Sequence, residues 1–263
     1  MNCRICCTDS QEYLKHQILG KYEITYYKCP VCQFIQTESP FWLNEAYESA
    51  ITSLDLGLLS RNNYTVPITN SILHRFFDIR KKFVDYGGGY GVFVRLMRDK
   101  GLDFYRQDMY CENVFAKHFD LQDAPQDQRF ELLTAFEVFE HLVDPVAELE
   151  KMLKLSDNIL FSTELQPRPD VNVENWWYFV PETGQHVSLY SQHSLEMLAQ
   201  KFSLNYYTNN INIHLFTKKK INEKMFSLLT KYKVSKAYNL VFSRQPSLLP
   251  VDFSNVRARL NSK

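Results

Sequence analysis

Residues 83–93 read FVDYGGGYGVF, and that stretch decides what the rest of the chain is. Phe83 and Val84 begin a short apolar strand that runs into Asp85. Gly87, Gly88, Gly89 and Gly91 follow. Then comes VFVRLMRDK, with Phe93, Leu96 and Met97 at helical spacing. Glycine is required where the backbone takes positive φ or where a ligand must lie against bare main chain. Four of the chain's eight glycines fall in these five positions, a density that predicts a cofactor loop between a strand and a helix. The rival reading is a glycine turn with no ligand.

Spacing narrows the ligand. The dinucleotide pattern G-x-G-x-x-G holds a pyrophosphate on the helix N-terminus. Counted from Gly87 or from Gly89, the third glycine's place is taken by Val92 or Val94. A nicotinamide site fits this poorly, and an NAD-dependent oxidoreductase stands as an alternative. Gly101 stops the helix. LDFYRQD, 102–108, is then a second strand ending at Asp108, 19 residues beyond Gly89. A carboxylate at a strand tip at about that distance (~20 residues) accepts the neighbouring hydroxyls of a ribose. Residues 116–128 bring Asp120, Gln122 and Asp123, any one of which offers an acceptor to an adenine amine. LLTAF is a fourth strand, and Glu137-Val138-Phe139-Glu140-His141 turns from it into a helix bounded by Asp144-Pro145.

An acidic strand end, G-x-G-x-G, a tip aspartate and E-V-x-E-H, in that order, resemble the class I S-adenosylmethionine-dependent methyltransferases over about residues 80–218. The resemblance implies an α/β fold: a Rossmann-like seven-stranded sheet, its last strand antiparallel, with helices on both faces. It also implies S-adenosylmethionine as cofactor. Carried onto this chain, it makes Asp85, Gly87, Gly89, Gly91, Asp108, Phe136 and Glu137 cofactor-binding residues, with Ala135 beside them. His141 is then more a structural residue than a base. The family usually has Cys or Ser between its first two glycines. Here Gly88 stands there, with Tyr86 before Gly87, and both leave the backbone path open.

The acceptor side is read from residues 158–202. NILFSTELQP is a fifth strand with Glu164 at its carboxyl end, where ligands bind in open α/β sheets. Trp176, Trp177, Tyr178 and Phe179 follow, as a pocket floor or as core. His186 lies in the turn after them. A histidine titrates in the range general-base work needs. This loop is similar to the histidine-bearing loop of zinc-containing sugar C-methyltransferases, although their H-E-H pattern is here Gly184-Gln185-His186, with His193 seven residues on. The candidate catalytic residues are His186 first, then Glu164 and Tyr190. The resemblance points to a small polar acceptor, a nucleotide-linked sugar or cell-envelope glycan. A non-catalytic adaptor is the third reading.

Residues 1–40 hold five of the six cysteines. Cys3-x-x-Cys6 and Cys29-x-x-Cys32 form two knuckles, each turning two thiolates toward one point, and two knuckles make a tetrahedral zinc site. Between them YEITYYK is strand-prone. Four thiolates close the site to water, which assigns it to structure rather than chemistry.

Charge and hydropathy bound the rest. Thirty basic residues balance thirty acidic ones, so no basic excess points to nucleic acid. The Lys218-Lys219-Lys220 run reads as a solvated strand end. The start, MNCRICC, lacks an apolar signal segment, no run spans a bilayer, and the expected location is the cytoplasm. The expected organisation is a zinc ribbon at 1–40, a helical linker at 41–80, a methyltransferase domain at 81–218 and a helical extension at 219–263. In the linker, Trp42, Leu43, Ala46, Tyr47 and Ile51 form one helical stripe. A second helix starts near Asn70 or Ser71, and Arg61-Asn62-Asn63-Tyr64 is a surface turn.

Overall fold

A computed structural model describes residues 1–48, 54–168 and 171–261. In chain order the elements are β1 (Gln11–Ile18), β2 (Tyr22–Lys28), β3 (Ile35–Thr37), α1 (Leu43–Ala46), α2 (Leu58–Phe76), β4 (Lys82–Tyr86), α3 (Val92–Asp99), β5 (Asp103–Gln107) and β6 (Leu132–Phe136). Then come α4 (Pro145–Leu155), β7 (Asn158–Ser162), β8 (Ser188–Leu189), α5 (Gln192–Lys201), β9 (Asn205–Thr208), β10 (Ile213–Thr217), α6 (Glu223–Leu229), α7 (Tyr232–Phe242) and α8 (Leu249–Asn261). Two sheets result, one ordered β1-β2-β3-β8 and one ordered β5-β4-β6-β7-β10-β9. The second is the mixed, Rossmann-like sheet that the glycine loop predicted. Its described strands number six rather than seven. The segment 116–128 makes only a single parallel bridge, Arg106 to Asp120, because the chain turns immediately after the extended Asp120, which caps a short turn over Leu121–Asp123.

By its contacts the chain divides into two compact units. One comprises 1–55, 136–153 and 161–220. In it β1, β2 and β3 are antiparallel neighbours, and β3 pairs with β8 at Ile35–Leu189 and Gln36–Ser188. The expected strand at 22–28 is β2. The apolar side of this sheet buries Ile18, Ile24, Tyr26 and Ile35 against Trp42, Trp176, Tyr178 and Phe179. Trp42 Nε1 donates to the Gly184 carbonyl at 2.8 Å. The aromatic loop is thereby sorted: Trp176 and Phe179 are core, whereas Trp177 is 71% exposed. Of the predicted stripe, Trp42 and Ala46 are buried, and Ile51 lies outside the described residues. Lys218–Lys220 are exposed beyond the end of β10, as expected.

The other unit comprises 56–135, 154–160 and 221–263. Here β4 runs parallel to both β5 and β6, with Asp85 in register with Arg106 on one side and Thr134 on the other. The helix expected from residue 70 begins instead at Leu58 and runs through Arg61–Tyr64 and Pro67. Proline lacks the N–H an interior helical position donates. Packing offsets that loss: Asn239 of α7 donates to the Pro67 carbonyl at 2.7 Å, and Tyr64 stacks on Tyr232 with ring centres 6.1 Å apart. The tail beyond residue 246 forms α8. Its buried Asp252 takes a two-pronged grip from Arg98 of α3, at 2.9 and 2.7 Å.

Candidate active site

The glycine loop is held by the strands beside it. Gly87 and Gly88 donate to the Gln107 carbonyl at 2.8 and 3.1 Å. Gly87, Gly89 and Gly91 all take positive φ. At Gly91 a methyl group would meet Asn113 Oδ1 at 2.8 Å and Ala116 at 3.0 Å, so the position excludes any side chain. Gly89 is different: a Cβ there would meet nothing within 4 Å, leaving a bare main chain beside open space. Arg106, which the sequence did not single out, lies beneath the loop. Its Nε donates to the Gly89 carbonyl at 2.6 Å, and its Nη1 to Asp120 at 2.8 Å.

Asp108 stands at the tip after β5, as predicted. Its Oδ2 accepts from Gly89 N–H at 2.8 Å, and its Oδ1 accepts from Tyr110 and Cys111 N–H at 2.8 and 2.7 Å. Three of a carboxylate's four lone-pair directions are thus committed. The fourth, on Oδ2, suits one hydroxyl donor rather than the two expected. Asp120 accepts from Arg106 and from Asn113 Nδ2 at 3.0 Å, which braces the loop. Asp123 caps its own turn. Asp85 is buried, with Thr134 Oγ1 donating to it at 2.6 Å. Burial pushes its carboxyl up to about 7, against the Thr134 hydrogen bond and with the Asp108 charge adding to the rise.

In the first unit, β6 ends at Phe136, and Glu137 follows in the left-handed region at φ 54°. A non-glycine residue stays there only when its surroundings hold it. Ser162 does so twice: Glu137 N–H donates to Ser162 Oγ at 2.9 Å, and that hydroxyl donates to Glu137 Oε1 at 2.6 Å. The Tyr178 hydroxyl reaches Glu137 Oε2 at 3.4 Å. Burial, reinforced by the Glu137 and Glu140 charges, holds that phenol well above its usual range, so it remains a donor.

Glu140 and His141 follow on a single turn, and His186 precedes β8. The Val187 N–H donates to the Glu140 carbonyl at 2.9 Å, which binds the two segments together. His141 and His186 meet with ring centres 5.0 Å apart at 80°. Glu164 is half-buried and accepts from Asn212 at 2.8 Å. Its carboxyl is raised by burial and then by the Glu137 charge. Tyr190 is fully buried, and its hydroxyl donates to the Phe139 carbonyl at 3.0 Å.

The family follows from the chain between the second helix and the penultimate strand. Residues 64–209, more than half of the sequence, match the family model described as a methyltransferase domain. The chain belongs to the methyltransferase-domain family. No curated protein matches it. Solved structures that it resembles include TnmH, at 14% identity and a TM-score of 0.47, covering 68% of this chain and 62% of that one. Human N-acetylserotonin methyltransferase in complex with SAM matches at 16% and 0.44, covering 60% and 52%. CalO1, a methyltransferase in calicheamicin biosynthesis in its SAH-bound form, matches at 15% and 0.41, covering 59% and 54%. The chain spans about half the length of most of these. In this chain, sequence reasoning did not single out Arg106, Asn113 or Glu140 for a role. An arginine inside the strand-forming stretch LDFYRQD was the available signal.

The four predicted thiolates also converge. Cys3 Sγ lies 3.5 Å from Cys32 Sγ, and Cys6 Sγ lies 3.4 Å from Cys29 and 3.7 Å from Cys32. The knuckles match each other. Cys7 N–H donates to the Cys3 carbonyl and Gln33 N–H to that of Cys29, with Cys7 and Gln33 both at positive φ. Main-chain N–H groups of Ile5 and Cys32 point at Cys3 and Cys29 Sγ, each at 3.4 Å.

Proposed function

We propose that this protein is an S-adenosylmethionine-dependent methyltransferase acting on a small polar acceptor, a nucleotide-linked sugar or a cell-envelope glycan. The observation that carries the cofactor is the bare loop at Gly89 tied through its N–H to Asp108. When bound, S-adenosylmethionine supplies a methyl group already activated by its sulfonium charge. Gly87, Gly89 and Gly91 would present main chain to it, Asp108 would accept from a ribose hydroxyl, and Asp85 would offer a buried negative charge.

For the acceptor, His186 is the first candidate base. Its Nδ1 donates to the Tyr178 carbonyl at 2.9 Å, which leaves Nε2 able to accept a proton. Glu164, its carboxyl raised by burial, is the second. The four thiolates suit a zinc ion. A tetrahedral zinc–sulfur cluster sets its sulfurs about 3.8 Å apart, from bonds of about 2.3 Å, and the observed spacings fall just inside that. Its role is structural. We place the protein in the cytoplasm, because paired C-x-x-C knuckles suit metal rather than disulfides. Among the described residues no helix is long and apolar enough to cross a membrane. Val92 and Val94, where a dinucleotide loop has glycine, disfavour the oxidoreductase reading.

Calorimetry with S-adenosylmethionine tests the cofactor, and folded protein that gives no heat of binding ends the reading. Asp108→Ala should weaken binding severalfold, and an unchanged affinity removes that residue from the cofactor. Release of S-adenosylhomocysteine across a panel of acceptor classes identifies the acceptor.

A further inference from the structure

We propose that Glu140, His141 and His186 form a binding site for a divalent first-row transition ion, separate from the four-cysteine cluster. One carboxylate oxygen and one ring nitrogen from each histidine lie within 4.8 Å of one another. The Glu140 side chain is 1% exposed, and His141 Nε2 stands 3.8 Å from its Oε1.

Hydrogen bonding fixes which ring atoms face inward. His141 Nδ1 lies 3.1 Å from the Gln185 carbonyl, and His186 Nδ1 lies 2.9 Å from that of Tyr178. A carbonyl only accepts, so both Nδ1 atoms carry the proton. In the neutral rings each Nε2 therefore holds a lone pair. One ring nitrogen of each histidine and a buried carboxylate oxygen thus converge, a donor set that suits a divalent cation. Donation of the second ring nitrogen to a carbonyl is also how metal-binding histidines are usually oriented.

The framework is stiff where a metal site needs it to be. Glu140 and Val187 are joined through their main chains at 2.9 Å. Gln185, whose carbonyl orients His141, is itself anchored by donating to the Ala46 carbonyl at 2.8 Å. The Ser188 hydroxyl donates to the Leu142 carbonyl at 2.6 Å, clamping the same two segments one step further on. Two nitrogens and one oxygen favour manganese, iron, cobalt or zinc over magnesium, which prefers oxygen alone. Three protein ligands leave coordination positions open, and those positions are suited to an oxygen of the acceptor.

The ion's role, though not its binding, presupposes methyl transfer. An acceptor hydroxyl bound to the ion loses its proton more readily, and His186 Nε2 then serves as ligand instead of base.

Full-length, zinc-replete protein titrated with Mn2+ and followed by electron paramagnetic resonance tests the site. One Mn2+ per chain is expected, and its spin-echo modulation should show imidazole nitrogen, a signature the four-cysteine cluster cannot produce. Glu140→Gln and His186→Ala should each weaken Mn2+ binding at least tenfold, with folding checked by circular dichroism. Mn2+ left free at millimolar concentration, bound without nitrogen modulation, or bound equally by both variants overturns the proposal and leaves a protonated histidine–carboxylate cluster. The wild-type spin-echo signal decides the matter even if a variant does not fold. Calorimetry with S-adenosylmethionine on the same samples keeps the two readings apart: cofactor binding without Mn2+ rejects only the ion, and Mn2+ binding without cofactor rejects only methyl transfer.

Discussion

Asp85 shows how much one residue carries. It sits in register between Arg106 and Thr134, so its carboxyl is buried by the strands that define the fold. Burial lifts it to about 7 from 3.8. The folded protein thus holds a proton that the unfolded chain has released, between about pH 4 and pH 7. The linked stability is full below the lower value and is lost as pH rises through the upper one. Without cofactor, wild-type stability should therefore fall between pH 5 and pH 8 relative to Asp85→Asn, in denaturant titrations at each pH. Binding of a cationic cofactor has the opposite sign, because it favours the ionised carboxylate. Affinity for S-adenosylmethionine should rise severalfold from pH 6 to pH 8 in the wild type and stay flat in Asp85→Asn. A matching slope in both proteins would clear Asp85 of the effect.

Elements differ in how openly their sequences announce them. The strand, loop and helix around Gly87–Gly91 are legible because glycine at positive φ is a local demand that no distant contact alters. Gly91→Ala should accordingly cost about 2 kcal/mol from the left-handed backbone and the crowding at Asn113, read as a lower unfolding midpoint. It should also weaken cofactor binding. The four cysteines are legible for the same reason, since each knuckle is a local turn. Helix α2 was half hidden. Its first half contains Arg61-Asn62-Asn63 and Pro67, which locally argue for a turn, and only the partners Tyr232 and Asn239, more than 160 residues away, make it helical. Strand β8 has two residues and no signal of its own, existing because β3 offers an edge. Of the candidate site, the carboxylates and histidines were legible as residue types. Their convergence was not, because His186 meets Glu140 and His141 across a long loop. The bond from the Tyr190 hydroxyl to the Phe139 carbonyl was likewise not legible, because a hydroxyl's partner cannot be seen in sequence.

At the scale of the molecule, long-range ties hold each unit together. Arg98 and Asp252 are both nearly excluded from solvent, and removing one partner strands the other's charge. Asp252→Ala should destabilise the protein by about 3 kcal/mol, while Arg98→Met with Asp252→Leu should recover part of the loss. Additive losses in the double variant would show that no pairing energy exists. In the first unit the equivalent tie is the thiolate cluster. Cys29→Ser, or a strong chelator, should loosen the β1-β2-β3-β8 sheet and shift Trp42 and Trp176 fluorescence to the red. Elemental analysis should find one zinc per chain in the wild type and none in the variant. The pairing of β3 with β8 also sets a timetable for synthesis. Both cysteine knuckles leave the ribosome with the first 32 residues, but the partner of Ile35 is Leu189. At roughly 5–20 residues per second, β3 waits on the order of ten to thirty seconds with one edge bare. A nascent chain whose knuckles capture metal early would pass that interval with the first three strands already in register, so zinc supply during translation should govern the yield of soluble protein more than zinc added afterwards.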